Sequence, residues 1–143
     1  MLYFGFQKLK IYQLSKELVK DICKFSSSFP PDEKYALVQQ INKAAVSVAA
    51  NIAEGTGMNG YQEKIHFINI SYSSLMEIVC QTEIAFELGY LKKGIFENIS
   101  KMAKKLPVKM SNYIASIKKA TFKPYFNHFT TIFKQYYRSC KNI

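Results

Sequence analysis

Two stretches of this sequence have residue types and spacings that could support catalysis or cofactor binding. Gly55-Thr56-Gly57-Met58-Asn59-Gly60 satisfies G-x-G-x-x-G, the turn that aims backbone N–H groups at a pyrophosphate. That turn works only between a strand and a helix of a βαβ unit. Here the preceding apolar residues Ile41, Ala44, Ala45, Val48 and Ile52 repeat at helical steps, so the stretch reads as a helix–helix turn and no cofactor is expected. Glu63-Lys64-Ile65-His66 is an E-x-x-H, half of a di-iron carboxylate site. Such a site needs a second E-x-x-H and a Glu from each of two other helices, all facing inward. The other histidine, His128, has Tyr125 at the matching position, so no metal is expected and Glu63 and His66 read as surface or interface residues. With two histidines in the chain, a Cys–His pair or a Ser–His–Asp arrangement has little to draw on. No catalytic residue is assigned and the chain reads as a non-enzyme.

A third group, the basic residues, carries the strongest signal. The formal net charge is +10, and it is one-sided: residues 1–97 hold ten lysines against ten acids, whereas residues 98–143 hold nine lysines and one arginine with no acid after Glu97. Folding does not require such an imbalance and self-repulsion opposes it, so it points to a negatively charged partner. The candidate contacts are Lys101, Lys104, Lys105, Lys109, Lys118, Lys119, Lys123, Lys134, Arg138 and Lys141. Each lysine that neutralises a phosphate releases counterions, which gives salt-dependent binding largely independent of sequence; interleaved Tyr and Phe can stack on unpaired bases. The competing reading is a solvated lysine face, with the tail aromatics packed on the bundle or on a neighbouring subunit. A basic amphipathic helix lying on an anionic membrane is a weaker third reading, and no membrane partner is expected.

The elements that must position these residues are helical. Ile11, Leu14, Leu18, Ile22 and Phe25 recur at three- and four-residue steps over about 8–26, ending at Pro30-Pro31. A second segment, about 33–54, closes at Gly55-Thr56-Gly57, read as its C-cap and turn. There Asn51, Glu54 and Gly55 are taken as structural, Asn51 bonding locally and Glu54 facing a neighbouring helix or subunit; ligand binding by Asn51 and Glu54 is the weaker reading. A third segment, about 60–90, starts with Asn59 as N-cap and Gln62 behind it, and ends at Gly89. It carries two apolar stripes, Ile65, Ile68, Tyr72, Leu75, Val79, Phe86 and Phe67, Ile70, Ile78, Ala85, Leu88, as expected for a helix central in its fold or shared with another subunit.

In a fourth segment, about 95–120, Ile95, Ile99, Met102, Leu106, Met110, Tyr113 and Ile117 fall on one side of a helical wheel. Lys101, Lys104, Lys105 and Lys119 fall on the other. Pro107 should kink this helix or divide it. Beyond it, Phe122, Tyr125, Phe126, Phe129, Ile132, Phe133, Tyr136 and Tyr137 repeat at helical steps among basic residues, with Pro124 suited to a first turn. The expected class is all-α: an antiparallel up-down-up-down four-helix bundle over 1–120, with a helical aromatic and basic C-terminal extension over 121–143.

A chain of 143 residues can bury one core and needs no second domain. Cys23, Cys80 and Cys140 are odd in number and widely spaced, so buried packing thiols are expected in place of disulfides or a thiolate metal site. No apolar run is long enough to cross a bilayer. The N-terminus lacks the basic start and apolar core of an export signal, so the cytoplasm is the expected compartment.

Ala44-Ala45-Val46-Ser47-Val48-Ala49-Ala50-Asn51-Ile52-Ala53-Glu54-Gly55 resembles the signature stretch of the four-helix-bundle proteins encoded within intervening sequences of bacterial 23S rRNA genes. Leu9-Lys10-Ile11-Tyr12, Phe29-Pro30, Glu33-Lys34-Tyr35-Ala36-Leu37, Gln40-Ile41, Ser74-Leu75-Met76-Glu77 and Glu87-Leu88-Gly89-Tyr90-Leu91 resemble that family in order and spacing, over about residues 7–120. The resemblance implies an antiparallel four-helix bundle, a ring-like homopentamer, and kinship with accessory proteins of diversity-generating retroelements, which act with a reverse transcriptase and its RNA. It implies no biochemical activity for the intervening-sequence members themselves. This chain departs from the pattern at Asn42-Lys43, where a basic pair is common, and at Ala49, where proline is common. Attention therefore moves to the fourth segment and the tail.

The functional expectation is a non-enzymatic, homo-oligomeric nucleic-acid-binding accessory protein, with RNA favoured over DNA. The alternative is a protein-interaction scaffold that docks a partner such as a reverse transcriptase through the apolar third segment or the tail.

Overall fold

The computed structural model describes residues 4–118. The segment from 119 onward, which includes Lys119, Lys123, Lys134, Arg138, Lys141, Cys140 and the extension expected at 121–143, lies outside the described residues. Four helices follow one another: α1, Lys10–Ser26; α2, Leu37–Gly57; α3, Tyr61–Glu87; and α4, Lys93–Lys118, with single 3-10 turns at Gly5–Lys8 and Pro31–Tyr35. The described residues contain no strand, and the all-α bundle stands as expected.

The helices form a square in which α1 packs on α2, α2 on α3, α3 on α4 and α4 back on α1. Cross-helix bonds fix the antiparallel order. Ser26 Oγ at the end of α1 donates to Asn42 Oδ1 near the start of α2 (3.1 Å), Lys64 Nζ in the first turn of α3 donates to Thr56 O at the end of α2 (3.2 Å), and Asn98 Nδ2 early in α4 donates to Asp21 Oδ2 late in α1 (3.3 Å). Leu18, Ile22, Ile41, Val48, Ile52, Ile68, Leu75, Ile78, Ile99, Leu106 and Met110 are fully buried between them, each such side chain contributing about 1.5–3 kcal/mol over an exposed one.

Local chemistry sets the helix ends. The Ser27 and Ser28 hydroxyls donate to Lys24 O and Phe25 O (2.8 and 2.7 Å), satisfying carbonyls released where α1 stops before Pro30-Pro31. Those prolines lead into the 3-10 turn, so α2 begins at Leu37 and not near 33. At the far end of α3, Gly89 adopts φ +77°. Its N–H bonds Phe86 O while that of Tyr90 bonds Ala85 O (3.0 and 2.9 Å), the paired closure of a Schellman motif, which needs a residue tolerant of left-handed backbone. The Tyr90 ring then packs on Phe29, which packs on Phe25 (both 5.5 Å), and its hydroxyl donates to Glu33 Oε1 (3.2 Å). The α1–α2 and α3–α4 connections are thereby tied together at one end of the bundle.

Several expectations are corrected. Asn51, Glu54 and Gly55 are not turn residues, because α2 continues through Gly57 and the turn is Met58 to Gly60. A Cβ on Gly55 would lie 2.8 Å from Phe67 Cβ and 3.4 Å from Lys64 O, so that glycine serves close helix approach. The N-cap of α3 is Gly60, whose N–H donates to Glu63 Oε2 (3.2 Å), in place of the Asn59 and Gln62 pair. Pro107 neither ends nor divides α4; its ring is buried in the seam, which offsets the backbone bond it removes. Cys23 and Cys80 are exposed free thiols and not buried ones, because Cys23 follows buried Ile22 by one residue and Cys80 follows buried Ile78 by two, which turns each about 100° or more round its helix from that buried position.

The central line of α3 also differs from both expected stripes. Its buried residues run Ile68, Ser71, Leu75, Ile78, Thr82, Ala85, joined by Ser74 and Gln81. Four of these eight are polar. Ile65, Tyr72 and Val79 on one flank and Phe67 and Ile70 on the other are half-buried.

Candidate nucleic-acid interface

α4 is amphipathic about a face rotated from the expected one. Ile99, Leu106 and Met110 are buried as expected, but Ala103, Pro107 and Ile114 complete the seam, while Met102, Tyr113 and Ile117 are half-buried and Ile95 is exposed. Opposite that seam lie Lys101, Lys104, Lys105, Val108 and Asn112, all exposed. Lys109 and Lys118 lie toward the flanks and are half-buried. Of the ten basic residues expected to form the site, Lys101, Lys104, Lys105, Lys109 and Lys118 share this one helix. The others lie outside the described residues. Burial pushes the phenol of Tyr113, on the flank of α4, up from its ordinary value.

The structure adds basic residues that the charge count along the chain concealed. α1 packs beside α4 and presents Lys10, Lys16, Lys20 and Lys24, all exposed, against Glu17 and the half-buried Asp21 that Asn98 holds. In sequence these lysines are diluted by acids elsewhere in the first two-thirds. The signal that would have found them is charge counted per helix.

The motif residues have structural partners. Asn51 Nδ2 donates to Ser47 O and Ser47 Oγ (2.8 and 3.0 Å), one turn back in α2. Ser47 Oγ lies 2.8 Å from Ser74 Oγ, which donates to Ile70 O (3.1 Å); with the Ser74 proton so engaged, Ser47 is the donor between the two hydroxyls. Nearby, Ser71 Oγ donates across the interface to Val48 O (2.8 Å). The signature stretch thus stitches α2 to α3, with Glu54 exposed. Glu63 caps α3, and exposed His66 meets the Phe67 ring edge-on at 5.7 Å. Among the described residues no three His, Cys, Asp or Glu side chains converge as metal ligands, and no helix is long and apolar enough to cross a membrane.

Four antiparallel helices with a polar α2–α3 stitch and a basic outward face on α4 define an up-and-down four-helix bundle. The sequence profile of the 23S rRNA-intervening sequence protein family matches residues 7–112, and the chain belongs to that family. The crystal structure of a protein of unknown function from the S23 ribosomal protein family of Bacteroides thetaiotaomicron VPI-5482 superposes with a TM-score of 0.67 at 19% identity, covering 73% of this chain and 95% of that one. At that identity the likeness is one of fold. Comparison with curated proteins returns no match.

Proposed function

We propose that this protein is a non-enzymatic, homo-oligomeric nucleic-acid-binding accessory protein that prefers RNA. The observation that carries this reading is the outward face of α4, where Lys101, Lys104 and Lys105 stand exposed opposite the buried seam on a helix with Glu97 as its single acid. Lysines so placed can neutralise phosphates without disturbing the core. An oligomer, pentameric as the family resemblance implies, would repeat the face and multiply weak contacts into avidity. The test is fluorescence-anisotropy binding of a structured RNA over a salt series, comparing the full chain with a variant carrying Lys→Gln at 101, 104, 105 and 109. Removing about four phosphate contacts should flatten the log–log salt dependence by about 3–4. Equal binding by the variant would refute the reading; sedimentation velocity of the same samples reads the subunit count.

A second reading is favoured by a separate observation. At the α3–α4 end Ile84, Phe86, Leu88 and Ile95 are 43%, 36%, 54% and 38% exposed, with Phe86 stacked on Phe96 at 4.4 Å. In this reading that apolar surface, or the tail, docks a protein such as a reverse transcriptase. Truncation after residue 120 separates the two: loss of salt-sensitive RNA binding supports the first reading, and loss of a co-purifying protein with RNA binding intact supports the second.

A further inference from the structure

The fold sorts charge by side. α1 carries four lysines against two acids and α4 six lysines against one, whereas α3 carries one lysine against four acids and α2 is balanced. Because α1 and α4 are neighbours, their excess positive charge shares one side of the bundle, and the acids of α3 are carried on another.

The Asn98–Asp21 bond sets the register of this pair. Counting away from it in antiparallel directions places Lys10 of α1 level with Lys109 of α4, and Lys20 and Lys24 alongside the first turns of α4. At 1.5 Å rise per residue, Lys101, Lys105 and Lys109 extend over about 12 Å, and Lys10, Lys20 and Lys24 over about 21 Å. Axes of packed helices lie about 8–10 Å apart. The result is two rows of cations running side by side, with Glu17 the exposed acid of α1 and Asp21 half-buried.

Two rows differ from one in what they fit. A single strand offers one line of phosphates, and its affinity for a protein grows when bases find rings to stack on. None of the described aromatic residues of α1 or α4 is exposed: Phe25 is buried, Phe96 and Tyr113 are half-buried, and Tyr12 is half-buried with the Lys16 ammonium 5.1 Å from its ring centre. A duplex instead offers two lines of phosphates, which in the A-form helix of double-stranded RNA flank a wide, shallow minor groove that two side-by-side rows of cations can span.

We infer that α1 and α4 form a single two-helix basic face that holds the backbone of double-stranded nucleic acid across both strands, with Lys10, Lys20 and Lys24 as binding residues alongside Lys101, Lys105 and Lys109. This rests on the nucleic-acid reading above and adds to it the α1 residues and the form of the ligand.

The experiment uses the full chain, a mixed-sequence RNA duplex of about 20 base pairs and an unstructured single strand of equal length, titrated between about 50 and 200 mM salt. Six phosphate contacts on a duplex predict a log–log slope near −5 and a loss of about 10³-fold in affinity over that range. The Lys10→Gln/Lys20→Gln/Lys24→Gln variant, with helicity checked by circular dichroism, should lose two to three units of slope, as should the matching variant at 101, 105 and 109. A slope unchanged in the α1 variant overturns the two-helix face. Single strand bound as tightly as duplex, or more tightly, overturns the duplex assignment while the nucleic-acid reading stands. Binding of neither at low salt sinks both.

Discussion

Replacing Gly55 by alanine tests the packing that holds α2 against α3. The new Cβ would lie 2.8 Å from Phe67 Cβ, about 1 Å inside ordinary carbon–carbon contact. The obstacle is fixed to the α3 backbone and cannot rotate away, so the helices must separate. Overpacking of this kind costs about 1–3 kcal/mol. Opposing it, alanine gains about 1 kcal/mol over glycine within a helix, and the net effect of Gly55→Ala should be a loss of up to about 2 kcal/mol. Gly57→Ala supplies the control, since Gly57 is also in α2 and its Cβ would meet nothing within 4 Å. It should be neutral to slightly stabilising, and the gap between the two variants isolates the steric cost. Urea denaturation, read as a shift in midpoint at unchanged slope, measures both. The reasoning fails if Gly55→Ala is as stable as Gly57→Ala.

The buried polar residues of α3 give a paired expectation. Thr82 Oγ1 is buried with no hydrogen-bond partner, so isosteric Thr82→Val should raise stability by about 1 kcal/mol, whereas Ser71→Ala, which removes the bond to Val48 O, should lower it by about 0.5–1.5 kcal/mol; equal shifts in urea midpoint would contradict the assignment. Desolvation, and then the hydrogen bond to Glu33, pushes the Tyr90 phenol above its ordinary value of 10.0. The folded state therefore holds this proton longer than the unfolded state, its contribution is complete below pH 10 and is lost as pH rises through the folded value. Denaturation midpoints taken from pH 9 to 11 should fall more steeply for wild type than for Tyr90→Phe, and parallel curves would count against the linkage. Cys23 and Cys80 are exposed, so both should react with a thiol reagent in the native protein at rates near those of the unfolded chain; protection until denaturation would show that they are covered in solution.

The α2–α3 stitch and the basic side made by α1 and α4 lie on different sides of the bundle. Gly55 and the Ser47–Ser74 and Ser71–Val48 O bonds join α2 and α3 closely, and this is where the signature stretch lies. The acids of α3 and the balanced α2 leave that side without a basic excess. On the opposite side Asn98 donates to Asp21 between α4 and α1, and lysines stand at outward positions of both helices.

Four helices and their approximate limits were legible because periodic burial is written into each segment separately: Ile11 to Phe25 and Ile41 to Ile52 lie on one stripe whatever they pack against. Gly89 was legible as an end because left-handed backbone selects glycine there. Other features depended on neighbours. Whether Gly55 turned the chain or let α3 approach could not be read from a glycine alone, and Phe67 decides it. The α3 seam escaped hydrophobic periodicity because Ser71 and Thr82 lie in its line; burial there follows from being surrounded, not from being apolar. The seam of α4 turned toward Ala103, Pro107 and Ile114 because α1 and α3 together choose which face is covered. By itself the sequence determined a basic fourth helix with its lysines opposite an apolar side, since both patterns are local to that helix. Only the tertiary structure decided that α1 stands beside it and carries Lys10, Lys20 and Lys24 to the same side, because the neighbour of a helix is set by packing around the whole core.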